Sequence, residues 1–205
     1  MIIAQCAVWI AIGTSAAAAA TAYYVKPLAT IMLDGAIRPG DLEEIEAAYV
    51  QSGRSATSLY LNSPGGDFAE GIKIGYWLRD HKVAAYAASL CDSSCAFAWL
   101  GGVKRYATLG AVMIHMPFYR TSTVTVAVSR AGIVDAIWYL ATLRCSRKLA
   151  DALLTVSSTE SDELFPITGA DSAGFDLDYA GYVDARYAAY LKTLRAAATL
   201  RNWDR

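Results

Sequence analysis

Three short stretches of this chain hold residue types that together can carry out acyl transfer. The first is Leu61-Asn62-Ser63-Pro64-Gly65-Gly66. A β-branched and aromatic run, Thr57 to Leu61, ends there and an apolar helical pattern begins at once, so a buried strand delivers its backbone into a glycine turn at a helix N-terminus. Two consecutive glycines let backbone N–H groups point outward, and the helix dipole adds partial positive charge at the same place. The second stretch is Cys91-Asp92-Ser93-Ser94-Cys95-Ala96-Phe97, which opens a small, apolar segment closing at Gly101-Gly102. The third is Val112-Met113-Ile114-His115-Met116-Pro117. A hydroxyl is a weak nucleophile at neutral pH and needs a base such as His115, plus donors aimed at the developing oxyanion. Taken singly, each stretch reads equally well as an ordinary turn, a structural serine or a hydrogen-bonded core histidine. Their order along the chain is the signal.

In that order the motifs resemble the Clp protease proteolytic subunit, ClpP, and its relatives in the ClpP/crotonase superfamily. The family reads roughly Ile-Asn-Ser-Pro-Gly-Gly, then Ala-Ala-Ser-Met-Gly-Ala-Phe ending in Ala-Gly, then Met-Ile-His-Gln-Pro. Here Leu61 to Gly66, Ser93 to Phe97 with Gly102 closing, and Met113 to Pro117 stand in their places, and Met32-Leu33-Asp34-Gly35-Ala36-Ile37 looks like the opening strand and turn. The resemblance covers Thr30 to His115. It implies an α/β fold, a spiral of ββα units with a mostly parallel sheet, and a serine hydrolase that needs no cofactor. Counting back from Gly102 and from Phe97 puts the family's nucleophile at Ser93, with Ser94 taking the next position, whose backbone N–H joins the oxyanion hole in the family. The other donor falls on Gly66 or Gly65, and His115 is the implied base. A base histidine needs its second ring nitrogen held by an acceptor. In the family that aspartate follows in a later loop, here Ser157 to Glu163, where Asp162 is the candidate, with Glu160, Glu163 and Asp171 behind it. No local pattern decides among them, and a Ser-His dyad stays open.

The N-terminus bears on the compartment. Met1 to Ala22 contains no Asp, Glu, Lys or Arg, is apolar through Ile12 and turns alanine-rich with a small-x-small pattern at Ala20-Thr21-Ala22. That reads as a secretory signal cleaved before Tyr23, leaving residues 23–205 as one hydrolase domain. The segment lacks a basic start, and an uncleaved membrane anchor is the alternative. Export implies a periplasmic or secreted protein and lets two of Cys91, Cys95 and Cys145 pair. Exported bacterial proteins that look like ClpP carry Cys-x-Ser-x-Cys at the nucleophile. Cys91 and Cys95 fit that pattern, and an i, i+4 spacing on a helical turn puts their Cα atoms about 6 Å apart, within disulfide range. Zinc would want four ligands, where only two cysteines and a distant histidine are on offer, so no metal is expected.

More than half of the 205 residues are hydrophobic and the formal net charge is −1, enough for one well-buried core. With no basic face, zinc knuckle or phosphate-binding Gly-x-x-x-x-Gly-Lys, nucleic acid is not an expected partner. Asp41 reads as the cap of a helix ended by Gly53, with Glu44 completing a capping box. Strands are expected near 57–61, 83–88 and 111–115, with helices after Gly66 and Ser93. Val124 to Thr155 reads as mostly helical, interrupted at Arg144 to Lys148, in the place of the ClpP handle through which subunits assemble, which implies a homo-oligomer. Val183, Tyr187, Tyr190, Leu191 and Leu194 repeat at helical spacing near the end. The function expected from all this is an exported serine peptidase acting on peptides or proteins. A non-catalytic binding or assembly protein of the same fold and a crotonase-type acyl-CoA enzyme are the alternatives.

Overall fold

The computed structural model describes residues 19–120, 126–128, 130–145, 147–157, 164–168, 177 and 180–181. Along the chain run β1 (Thr21–Val25), β2 (Thr30–Asp34), α1 (Asp41–Gln51), β3 (Ser58–Ser63), α2 (Phe68–Asp80), β4 (Ala84–Asp92) and α3 (Ser94–Leu100). They are followed by β5 (Arg105–Ala107), β6 (Val112–Ile114), β7 (Phe118–Arg120), β8 (Val126–Val128), α4 (Arg130–Thr142), α5 (Arg147–Ser157), β9 (Phe165–Pro166) and β10 (Ala180–Gly181). A short 3₁₀ turn, Lys26–Leu28, links β1 to β2.

Strands separated by helices must be joined by crossovers, and the sheet follows that rule. β2, β3, β4, β5 and β10 are parallel neighbours in that order, and β6 adds in parallel to β4. Among the described residues of this sheet, β1 on β2 and β9 on β6 run antiparallel, while β7 and β8 form a separate antiparallel pair. The fold is thus the mostly parallel α/β spiral expected from the motifs. Parallel strands covered by helices are nearly continuous apolar runs. Ile31, Leu33, Leu59 and Leu61 are fully buried, as are Ile74 and Leu78 of α2 and almost every residue of α3. Burying a side chain the size of Phe97 or Leu100 contributes roughly 1.5–3 kcal/mol, so α3 is fixed by its surroundings more than by its own seven residues.

A register shift in the middle of the sheet matters most for the site. Leu61 pairs with Ala87, but Ser63 pairs with Cys91, so β4 carries extra residues that β3 does not match. Such a bulge bends the strand. Before it, Ala85 to Ala87 of β4 pair with β5; after it, Cys91 and Asp92 pair with β6. Asn62 braces the bend by donating its side-chain amide to Asp34 and accepting from the Ser89 hydroxyl at 2.9 Å.

Several sequence expectations change in detail. The strand at Val126–Val128 lies where helix was expected, and its two β-branched valines favour extended backbone. α4 ends at Thr142 and α5 starts at Arg147, so the break overlaps the interruption read from Arg144 to Lys148, whose last two residues belong to α5. Asp41 does not cap α1. The N-cap is Gly40, Asp41 lies in the first turn and accepts the Arg38 N–H at 2.8 Å, and Glu44 reaches the Ala22 N–H at 3.3 Å instead of closing a capping box. Thr21 and Ala22, on the leader side of the expected boundary, are the first residues of β1 and pair with Asp34 and Leu33. The C-terminal helical stripe, Val183 to Leu194, lies outside the described residues. No helix among the described residues is long and apolar enough to cross a membrane.

Candidate active site

Ser93 stands between the end of β4 and the start of α3 with φ 57° and ψ −123°, a backbone conformation rarely adopted by a residue with a side chain. Holding it there costs of order 1–3 kcal/mol, and sharp strand-to-helix turns of this sort lift a hydroxyl out of the backbone's reach. The serine is the N-cap residue of α3, yet its hydroxyl makes no capping bond. The turn is pinned on three sides. The Ser93 N–H donates to the Met113 carbonyl of β6 at 2.9 Å, and the Cys91 N–H donates to the Ala111 carbonyl at 2.8 Å. A disulfide joins Cys91 to Cys95 across the turn, with Cα atoms 5.0 Å apart and both residues fully buried. Cys145 is not bonded, and burial pushes its thiol pKa up.

Ser94 is placed quite differently. It is 1% exposed, pressed against Gly71 of α2, and its hydroxyl has no hydrogen-bond partner. Of the two adjacent serines, only Ser93 faces open space. As the first residue of α3, Ser94 has a backbone N–H with no partner inside the helix.

The glycine turn meets Ser93 from the other side. A Cβ on Gly65 would fall 2.6 Å from Ser93 Cβ and 2.6 Å from the Asp92 carbonyl oxygen, so only glycine lets the two turns touch. Gly65, one of the two sequence candidates for the oxyanion donor, donates its N–H to Ser63 Oγ at 3.0 Å. Its carbonyl accepts the Ile37 N–H, and the Ile37 carbonyl accepts the Asp67 N–H, both at 2.9 Å. Gly66 lies between these two bonds, flat against Ile37, where a Cβ would sit 2.1 Å from the Ile37 oxygen. The Gly66 N–H takes no part in this ladder.

His115 follows the last residue of β6 and is 8% exposed, its ring tilted against Phe118 at 4.7 Å between centroids. Nδ1 lies 2.7 Å from the Met116 carbonyl oxygen. A carbonyl can only accept, so Nδ1 carries a proton in this contact, which in the neutral ring leaves the lone pair on Nε2. Ser93, His115 and Gly66 line one cavity of about 470 Å³. Its other walls are apolar: Pro64, Phe68, Phe97, Pro117, Phe118 and Leu164. Asp92, next to the serine, has its carboxyl pKa raised by burial. Asp162, Glu160, Glu163 and Asp171, the sequence candidates for a third member, lie outside the described residues. Among those described, no cluster of histidine, cysteine and acidic residues is set up to hold a metal ion.

Sequence reasoning missed two residues that build the site. One is Asn62, the brace of the β4 bend. The other is Glu70, whose signal was the spacing Asp67-x-x-Glu70 directly after the glycine turn; half of the box forms, as Asp67 accepts the Glu70 N–H at 2.8 Å.

The architecture and these turns are those of a ClpP-like α/β fold. No family model and no curated protein sequence matches the chain. Solved structures do. One neighbour is a serine-to-alanine mutant of the 1510-N membrane-bound stomatin-specific protease, 12% identical, with a TM-score of 0.56 over 75% of this chain and 78% of that one. A lysine-to-alanine mutant of the same protease, in complex with a substrate peptide, is 12% identical with a TM-score of 0.57 over 78% of this chain and 75% of that one. An asparagine-to-aspartate mutant of ClpP1 from Listeria monocytogenes is 18% identical, with a TM-score of 0.46 over 72% and 86% of the two chains. The likeness to the two stomatin-specific protease structures, at 12% identity, shows a shared fold alone.

The disulfide yields a prediction of its own. Replacing both Cys91 and Cys95 by alanine opens a five-residue loop, which by the chain-entropy account lowers stability by about 2 kcal/mol. In a domain of this size that is a shift of several degrees in Tm. The turn presenting Ser93 loses its covalent tie, and misplacing a reacting group by about 1 Å lowers a rate roughly a hundredfold. Hydrolysis should therefore fall far more than Tm does, as paired calorimetry and activity assays would show. Equal activity in the double variant would leave the bond without a role at the site.

Proposed function

We propose that this chain is an exported serine peptidase of the ClpP-like class, cleaving peptide or protein amide bonds in the periplasm or outside the cell. The observation that carries this reading is the meeting of Ser93 and His115 in one cavity with Gly66. His115 Nε2 takes the Ser93 proton as Oγ attacks the scissile carbonyl carbon. The Gly66 and Ser94 amides hold the oxyanion. Collapse of the tetrahedral species expels the amine, which leaves with the proton from His115, and water then releases the acyl group by the same steps in reverse. The Met116 carbonyl fixes the histidine tautomer, a duty usually given to a carboxylate. A Ser-His dyad can therefore run this chemistry, with Asp162 as the residue to test for a third role.

Two further points support the reading. A fold neighbour binds a substrate peptide, and the apolar cavity walls suit a peptide chain carrying apolar side chains. The Cys91–Cys95 bond suits an oxidising compartment. ClpP-like assembly as a homo-oligomer belongs to the same proposal. The test is labelling of the full chain with a fluorophosphonate, followed by peptide mass spectrometry. An adduct on Ser93 is expected. No adduct on any serine would turn the reading toward a binding or assembly protein of this fold.

A further inference from the structure

Glu70 is a carboxylate buried to 1% exposure on the first turn of α2, outside the cavity. A buried carboxylate must be hydrogen-bonded or paired to be tolerated. One oxygen, Oε1, accepts the Leu42 N–H at 2.9 Å and the Gly40 N–H at 3.2 Å; the other accepts Lys73 Nζ at 3.0 Å. Gly40 has no side chain with which to cap α1, so Glu70 supplies the cap from a different helix. Burial opposes its ionisation, but the Leu42 amide, Lys73 and the Gly40 amide outweigh burial and hold the carboxyl below its usual range.

The segment clamped by Glu70 is the one that aims the oxyanion donor. Ile37 is hydrogen-bonded to Gly65 and Asp67 on either side of Gly66, and the chain runs directly from Ile37 into the Gly40–Leu42 turn held by Glu70. Asp67 in turn caps α2 through the Glu70 N–H. The loop therefore closes on itself: Gly66, Ile37, Gly40, Glu70, Asp67 and back to Gly66. We propose that Glu70 is a positioning residue for the oxyanion-binding Gly66 amide, acting through Ile37. This rests on the serine peptidase reading and assigns that site a determinant outside its walls.

The experiment compares the native chain with Glu70→Ala, Glu70→Gln, Glu70→Asp and Lys73→Gln. It follows the second-order rate of fluorophosphonate labelling at Ser93, together with kcat and KM on a p-nitrophenyl ester. Glutamine keeps an acceptor for both amides, so Glu70→Gln should label within about threefold of native, and Lys73→Gln should match it. Glu70→Ala should label roughly thirty- to a hundredfold more slowly, in line with the loss of one oxyanion donor, with the fall in kcat and not in KM. A merely structural residue would lower Tm without that split and without rescue by glutamine. Should Glu70→Ala fail to fold, Glu70→Asp, one methylene short, takes its place with the same expectation. Native-rate labelling of a folded Glu70→Ala or Glu70→Asp, or a glutamine variant as slow as alanine, would overturn the proposal. A native chain that labels elsewhere or not at all would remove the site reading itself, which is a distinct result.

Discussion

Ser93→Ala should abolish both fluorophosphonate labelling and hydrolysis, while Ser94→Ala leaves labelling in place. Adjacent serines of the same chemistry are separated here by packing. Ser93 holds a left-handed backbone with its hydroxyl free of the helix cap, at the wall of the cavity. Ser94 faces α2, and its hydroxyl is buried without a partner. Removing an unsatisfied buried hydroxyl should be neutral for stability or slightly favourable. The backbone amide that residue 94 offers to the oxyanion survives the change. Side-by-side labelling of the two variants, with Tm measured on each, is the check. Labelling that disappears only in Ser94→Ala would move the nucleophile by one residue and reverse the roles.

His115→Ala should lower turnover by about four orders of magnitude or more, because nucleophile and base act as a unit. The double variant Ser93→Ala/His115→Ala should be no worse than either single one. Truncating a ring packed on Phe118 leaves a cavity, so a modest fall in Tm should accompany the loss. His115→Gln, which fills more of that space, should be equally inactive and better folded. Turnover within tenfold of native in either variant would take His115 out of the mechanism.

The parts of this architecture legible in the sequence are those that local chemistry dictates. Pro64-Gly65-Gly66 between the Leu59-Tyr60-Leu61 run and an apolar helical pattern marks a strand ending at a helix, and β3 and α2 lie there. The order of glycine turn, serine and histidine foretold three segments that share one cavity. What the sequence hid depends on partners far along the chain. Gly65 and Gly66 look alike on paper, and only the Ser63 hydroxyl and the Ile37 backbone tell their amides apart. Asp41 and Glu44 have the right spacing for a cap, yet Glu70 lies close enough to take that duty. β5, β9 and β10, of three residues or fewer, and the bulge in β4 have no periodic signal of their own; sheet neighbours impose them.

The exchange of partners along β4 makes the Ser93 turn depend on residues that come later in the chain. The strand meets β5 before the bulge and β6 after it, and the backbone of Ser93 is tied to Met113. A nascent chain that has emerged only through α3 carries the serine but neither the strand that locks its turn nor the histidine beyond that strand. Ser93 and His115 can share one cavity only once β6 has joined β4. On the peptidase reading proposed above, a chain cut short before β6 would lack the Ser93–His115 pair altogether.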